Sequence, residues 1–322
     1  MRTTYGGIVL AILLSACSEN LGPPPPDGGA VVGLRAEAPT GPFLPRAGTA
    51  MVARGERVWF GTDAGLYRDD PRAPRATGLP LHAGFFTSDG SESAGRIEHL
   101  AVSPDGQLVL FAGRRTTVAV LAASEDAGTS FAPLPRPDPT DFSVDALAVA
   151  PPSPRWAAGA WLVAQGLRVG HREVGAAGWT LVDVPGSVQR IDALAADGAG
   201  RLLVGVVTPA DSTEVRVHAG DPPRWESLGR SDGGAVLALS ASGHWAGPTG
   251  VHGTGGPLVT WPDREITHAA LADGPGGAVV WALVAAGDVP GTARLARGTG
   301  PAVVSDADAV DLPTGTEAIA VT

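Results

Sequence analysis

The chain has 322 residues, 44% of them apolar, with 45 glycines, 29 prolines, one cysteine and a formal net charge of −10. A single cysteine excludes an intramolecular disulfide and any cysteine-based zinc cluster. The acidic balance and the absence of lysine argue against nucleic acid as a partner, because phosphate binding draws on clustered cations.

The N-terminus carries one cation, Arg2, and then the apolar run IVLAILL from Ile8 to Leu14. A run this short falls below the roughly 20 residues of a permanent membrane span. It has the size of the apolar region of a secretory leader. The next residues, LSAC from Leu14 to Cys17, resemble the lipobox of bacterial lipoproteins. That resemblance implies cleavage after residue 16, diacylation of the Cys17 thiol and acylation of the new N-terminus. Several acyl chains give lasting membrane attachment where one does not. Without residues 1–16 the charge becomes −11, and no free thiol remains for catalysis. Ser18 follows the cysteine where lipoproteins retained in the inner membrane carry Asp. The resemblance therefore implies the cell envelope, at the outer membrane. The lipid bilayer is the first expected partner, through acylated Cys17.

Residues 17–30 read as a tether, SENLGPPPPDGGA after the cysteine, with Pro23 to Pro26 favouring an extended polyproline spacer. From Val31 to Thr322 the chain reads as one all-β domain. Gly, Pro or Asp interrupts each apolar run before three helical turns can build. One short motif recurs as TAMVA at Thr49, EHLAV at Glu98, DALAV at Asp145, DALAA at Asp192, AVLAL at Ala235, THAAL at Thr267 and EAIAV at Glu317. The steps are roughly 45 to 49 residues, with a shorter one from Ala235 to Thr267 and one near 50 at the end. Several copies are followed by a turn and a second apolar run, as in SPDG then QLVLFAG, or DGAG then RLLVGVV. A four-stranded unit of this period is a propeller blade, whose faces are buried only by neighbours. Seven motifs predict a seven-bladed β-propeller, or six blades if the stretch before Thr49 is too short to complete one.

Three segments resemble propeller families. VWFGTDAGLYRDD, from Val58 to Asp70, resembles the two-component-regulator propeller repeat, with Trp59, Gly61, Thr62, Gly65, Leu66 and Tyr67 at its motif positions. SEDAGTSF resembles the Asp-box of sialidase-type and sortilin-type propellers, through Ser124, Asp126, Gly128, Ser130 and Phe131. LAVSPDGQLVLF resembles WD-like and TolB-like repeats in its Ser-Pro-Asp-Gly turn. The resemblances imply turn and packing roles. Asp126 accepts backbone N–H bonds across a hairpin, Gly128 takes a positive φ, and Phe131 and Trp59 pack between sheets.

Catalytic patterns are sparse. A sialidase needs an arginine cluster, a Tyr–Glu nucleophile and an acid. The single tyrosine after the leader, Tyr67, lies inside a packing motif, and the early arginine motif is missing. HExxH and phosphate-loop patterns are absent. The eight tryptophans, from Trp59 to Trp281, fall at no constant phase. His244 and His252 flank a Gly-rich hairpin and could meet on one face, or be two separate loop histidines. The first position of the repeated motif carries Glu98, Asp145, Asp192 and Glu317. On innermost strands these carboxylates would ring the axis and hold Ca²⁺ or Mg²⁺; otherwise they solvate strand starts. The expected function is a non-catalytic, membrane-anchored binding or scaffold module with a protein or glycan partner. The alternative is a hydrolase or lyase acting on a glycan or other polymer.

Overall fold

The structure is a computed structural model. It describes residues 96–260 apart from 116–117, 142 and 221, the strands Gly48–Arg54, Arg57–Thr62, Gly65–Asp69, Pro80–His82, Ile266–Asp273, Val279–Ala286, Ala293–Gly298 and Val310–Leu312, and two short strand pairs. Those pairs join Ala11–Ile12 to Ala36–Glu37 and Phe85–Phe86 to Glu92–Ser93. Cys17, the tether and Glu317 lie outside the described residues.

Six four-stranded antiparallel sheets follow one another along the chain, each a meander with its strands in sequence order. They begin with the strands Gly48–Arg54, Arg96–Val102, Ala146–Ala150, Arg190–Ala196, Ala238–Leu239 and Ile266–Asp273. This is a propeller-like all-β architecture. The seventh motif, at Glu317, lies outside the described residues.

The middle strands explain why the sheets stack. Ala160–Gln165 is buried along its whole length. Alternation sends Trp161 and Val163 into one core cluster with Leu108, Leu110 and Leu121 of the second sheet. It sends Leu162 and Ala164 into another with Ile191, Leu202 and Val204 of the fourth. A strand apolar on both faces needs a sheet on each side. Trp59, Trp161 and Trp245 are fully buried, and each lies on the second strand of its sheet.

The repeated motif has a local meaning that its spacing did not show. In four sheets its first residue is the extra residue of a β-bulge. Pairing skips Thr49, Glu98, Asp192 and Thr267. Opposite three of these bulges the second strand carries Gly61, Gly113 or Gly205. A Cβ on Gly61 would sit 2.6 Å from Ile97 of the next sheet, and one on Gly205 would sit 2.7 Å from Val236. The glycines admit the neighbouring sheet's apolar side chain, so bulge and glycine together build the joint.

Candidate functional site

The inner strands converge on one cavity of about 590 Å³. Consecutive residues of the motif line it: Leu100 to Val102, Leu147 to Val149 and Leu194 to Ala196, with Leu239, Val52 and Leu271 from the remaining sheets. Since all six first strands contribute, the cavity lies on the axis of the array. Pro104, Pro151, Gly198 and Ala241 border it, each from the turn that follows a first strand. Its wall is apolar, with Ser240 supplying the one side-chain hydroxyl among the described lining residues. Volume and composition match sites for small, largely apolar molecules.

The carboxylates of the motif begin the same strands, at the end away from those turns. Asp192 takes the Val236 N–H at 3.0 Å, across the joint to the fifth sheet, and pairs with Arg190 at 2.7 Å. The Arg190 guanidinium also donates to the Gly234 carbonyl. Asp145 accepts the Gly166 N–H at 2.7 Å. Burial raises the Asp145 carboxyl above its usual range, against that hydrogen bond, and the charges of Asp141 and Asp192 add to the rise. Asp145 and Asp192 thus sense one another, as neighbours around an axis do. Glu98 is half-buried on its bulge. Among the described residues no group of three or more His, Cys, Asp or Glu side chains is placed to hold a metal ion. Asp192 is engaged in the joint to the fifth sheet, and Asp145 in a bond within its own sheet.

The Asp-box segment forms the turn between Val118–Ser124 and Ala132–Leu134. Asp126 accepts the Ser130 N–H at 2.8 Å, the Ser130 hydroxyl at 2.6 Å and the Ser124 hydroxyl at 2.7 Å. The Ser124 hydroxyl in turn accepts the Gly128 N–H at 2.8 Å, with Gly128 at φ +80°. The bonds from Ser130 and Ser124 hold the Asp126 carboxyl down at about 2. Phe131 packs edge-on against Phe111 at 5.3 Å. The Ala127 N–H donates to the Gln107 carbonyl, tying this turn to the Ser103–Gly106 turn of the same sheet. In the first sheet Trp59 and Leu66 are fully buried; the side chains of Thr62 and Tyr67 lie outside the described set.

His244 and His252 do not meet. Trp245 pairs with His252 in the sheet, so His244 projects from the opposite face. His252 stacks on Trp245 at 5.5 Å, while the Ser242 hydroxyl lies 2.5 Å from His244 Nδ1. A second cavity of about 590 Å³ lies beside the third sheet, between Asp138, Asp141, Gln165 and Asp183. There Arg168 bridges Asp138 at 2.9 Å and Asp183 at 3.1 Å. The motif leucines were visible in the sequence as a repeat, but their convergence on a cavity was not. Among the described residues no helix is long and apolar enough to cross a membrane.

No protein-family model matches the chain, and no curated protein matches it. Solved structures do. A chain of the Mitotic Checkpoint Complex matches with a TM-score of 0.53 at 11% identity, over 83% of this chain and 77% of that one. The β-propeller domain of Cps50 (Swd1) from Myceliophteria thermophila matches with a TM-score of 0.51 at 13% identity, over 79% and 84%. The extracellular domain of a protein described as a hybrid two-component system from B. thetaiotaomicron gives 0.48 at 10% identity, over 77% of this chain. This chain spans 31% of that one and 41% of a second extracellular domain of the same source. At such identities the likeness is one of fold.

Proposed function

We propose that this protein is a lipid-anchored envelope propeller that binds a small, uncharged, largely apolar molecule on its axis, without catalysis. The observation that carries the reading is the axial cavity, walled by leucine, valine and alanine from six inner strands. Burying such a ligand there returns about 25 cal/mol per Å² of apolar surface removed from water. A glycan would leave most of its hydroxyls unpaired against that wall, at a cost of about 1–3 kcal/mol each. The apolar wall therefore favours a hydrophobic ligand over the sugar partner that the sialidase-type turn brings to mind. The anchor rests on the Arg2, Ile8–Leu14 and Leu14–Cys17 sequence, and it sets the address of the cavity.

The binding test uses a neutral naphthylamine fluorophore and the soluble Cys17→Ala protein. Saturable fluorescence enhancement is expected, and it should weaken about tenfold or more when Leu100 and Leu147 are both replaced by Gln. An unsaturable signal, or one indifferent to the double substitution in a folded protein, overturns the reading. The anchor is tested by fractionation. Full-length chain should pellet with membranes and take up labelled fatty acid, and Cys17→Ala should do neither. Membrane pelleting and labelling unchanged in Cys17→Ala contradict the anchor.

A further inference from the structure

The joint between the third and fourth sheets carries one arginine and two histidines at its rim. The loop after Ala146–Ala150 presents Arg155, whose guanidinium lies 4.8 Å above the Trp156 ring. Its Nη2 is 3.4 Å from His171 Nε2, and its Nη1 reaches the Gly200 carbonyl at 3.4 Å on the fourth sheet. His171 stands on Arg168–Glu173 and packs against Trp156 at 5.8 Å. His218 stands on Ser212–Ala219 of the fourth sheet and packs against Trp225 at 4.9 Å. His218 is 8% exposed, and its Nδ1 has no hydrogen-bond partner.

The charges do not balance. No carboxylate among the described residues pairs with Arg155. The acids carried by the adjoining segments are committed elsewhere. Glu173 accepts the Ala157 N–H at 2.9 Å. Asp197 accepts the Ala199 and Arg201 N–H groups and pairs with the Arg201 side chain at 2.5 Å. An exposed guanidinium with no carboxylate partner and an imidazole beside it repels a metal cation and offers N–H donors to an anion. The bulk protein is acidic, so this is a local reversal of sign.

We propose that Arg155, His171 and His218 form a binding site for a small oxyanion, of the phosphate or carboxylate kind. The guanidinium supplies the fixed charge and the N–H groups left after Nη1 bonds the Gly200 carbonyl and Nη2 bonds His171 Nε2, and His171 keeps its Nδ1–H as a donor. Burial pushes His171 down to about 4, and the Arg155 and His218 charges push the same way. Burial likewise lowers His218, with Arg155 adding to it. Both rings are therefore neutral at neutral pH, with His171 Nε2 accepting from Arg155, and a bound anion would reverse part of both shifts. The site is separate in chemistry from the axial cavity, and either can fail without the other.

The test is a histidine-resolved NMR titration of the Cys17→Ala protein with inorganic phosphate, acetate and, as an ionic-strength match, chloride. Phosphate or acetate should move the His171 and His218 resonances saturably and raise the titration midpoint of His171. Chloride should do neither. Which of the two anions binds more tightly separates a phosphate site from a carboxylate site. Arg155→Met keeps the aliphatic stem over Trp156 and removes the charge; it should abolish the saturable response. Arg155→Lys should retain a response weakened about tenfold, because the planar array of N–H groups is lost. If Arg155→Met proves unfolded, the wild-type titration still decides. Identical shifts with chloride, or no movement of either histidine, overturns the proposal.

Discussion

The joint between the first and second sheets and the joint between the third and fourth are built on the same plan but finished differently. At the first, Ile97 packs into the space over Gly61, and Trp59 lies beneath Gly106 of the neighbouring sheet, 3.2 Å from where a Cβ would stand. The cluster there, with Leu66, Val102, Val109 and Phe111, is wholly apolar. At the second, the core under Trp156 is as tightly buried, but its rim carries Arg155, His171 and His218. Arg155 at that rim ties the two sheets through Trp156 and the Gly200 carbonyl, yet no carboxylate among the described residues balances its charge.

The comparison can be broken most forcefully at the apolar joints. Trp161 is 1% exposed and packs into the cluster shared with the second sheet. Trp161→Ala should cost about 3–5 kcal/mol, read by urea denaturation of the Cys17→Ala protein. A loss below about 1 kcal/mol would mean that the sheets do not lean on this side chain. Gly61→Ala comes next. Its new methyl meets Ile97 at 2.6 Å, so overpacking should cost about 1–3 kcal/mol. The double variant Gly61→Ala with Ile97→Ala, which removes the Cγ2 that the new methyl meets, should cost less than the sum of the two single changes. Strict additivity of the two changes would show that they do not share the joint.

Acid separates the joints more gently. His171, held at about 4 in the fold, returns toward its ordinary 6.5 on unfolding. Between those values the unfolded chain binds more protons, so stability rises with pH across that window and falls as pH drops through it. Burial lowers His252 in the same direction. His171→Gln should flatten the slope of melting temperature against pH between about 4 and 6.5. Asp126 works the other way. Its depressed carboxyl stabilises the fold above its unfolded value and loses that support only as pH falls toward about 2. Asp126→Asn should therefore lower the melting temperature at neutral pH and leave less difference from the parent near pH 2. An equal difference at both pH values would detach the turn's bonds from the carboxylate's charge.

Much of the fold could be read from the chain, because a four-stranded unit repeats its inner strand. The spacing of EHLAV, DALAV and DALAA located three first strands, and the Ser124–Phe131 pattern located a turn whose bonds run from Asp126 to Ser130. The strand-level detail was less legible. The motif's first residue could be read as a ring of inward acids or as strand-start solvation; a bulge shifts pairing at Glu98 and Asp192, and such a residue's side chain is set by the bulge, not by simple alternation. The tryptophans looked unphased because turn lengths differ between sheets, although Trp59, Trp161, Trp245 and Trp281 all lie on the second strands of their sheets. The Arg155 rim was nearly invisible, since Arg155 sits in a loop with no repeat partner. One signal was available: His171 and His218 each follow the aspartate of its motif, Asp145 and Asp192, by 26 residues.

The axial cavity is the centre of the account, and methyl-resolved NMR reaches it most directly. With the leucine and valine methyls labelled, a neutral naphthylamine probe should give intermolecular contacts to Leu100, Leu147, Leu194 and Leu239 together, from four different sheets. Contacts confined to Leu167 or Leu181, which are exposed on the outer surface, would contradict an axial site.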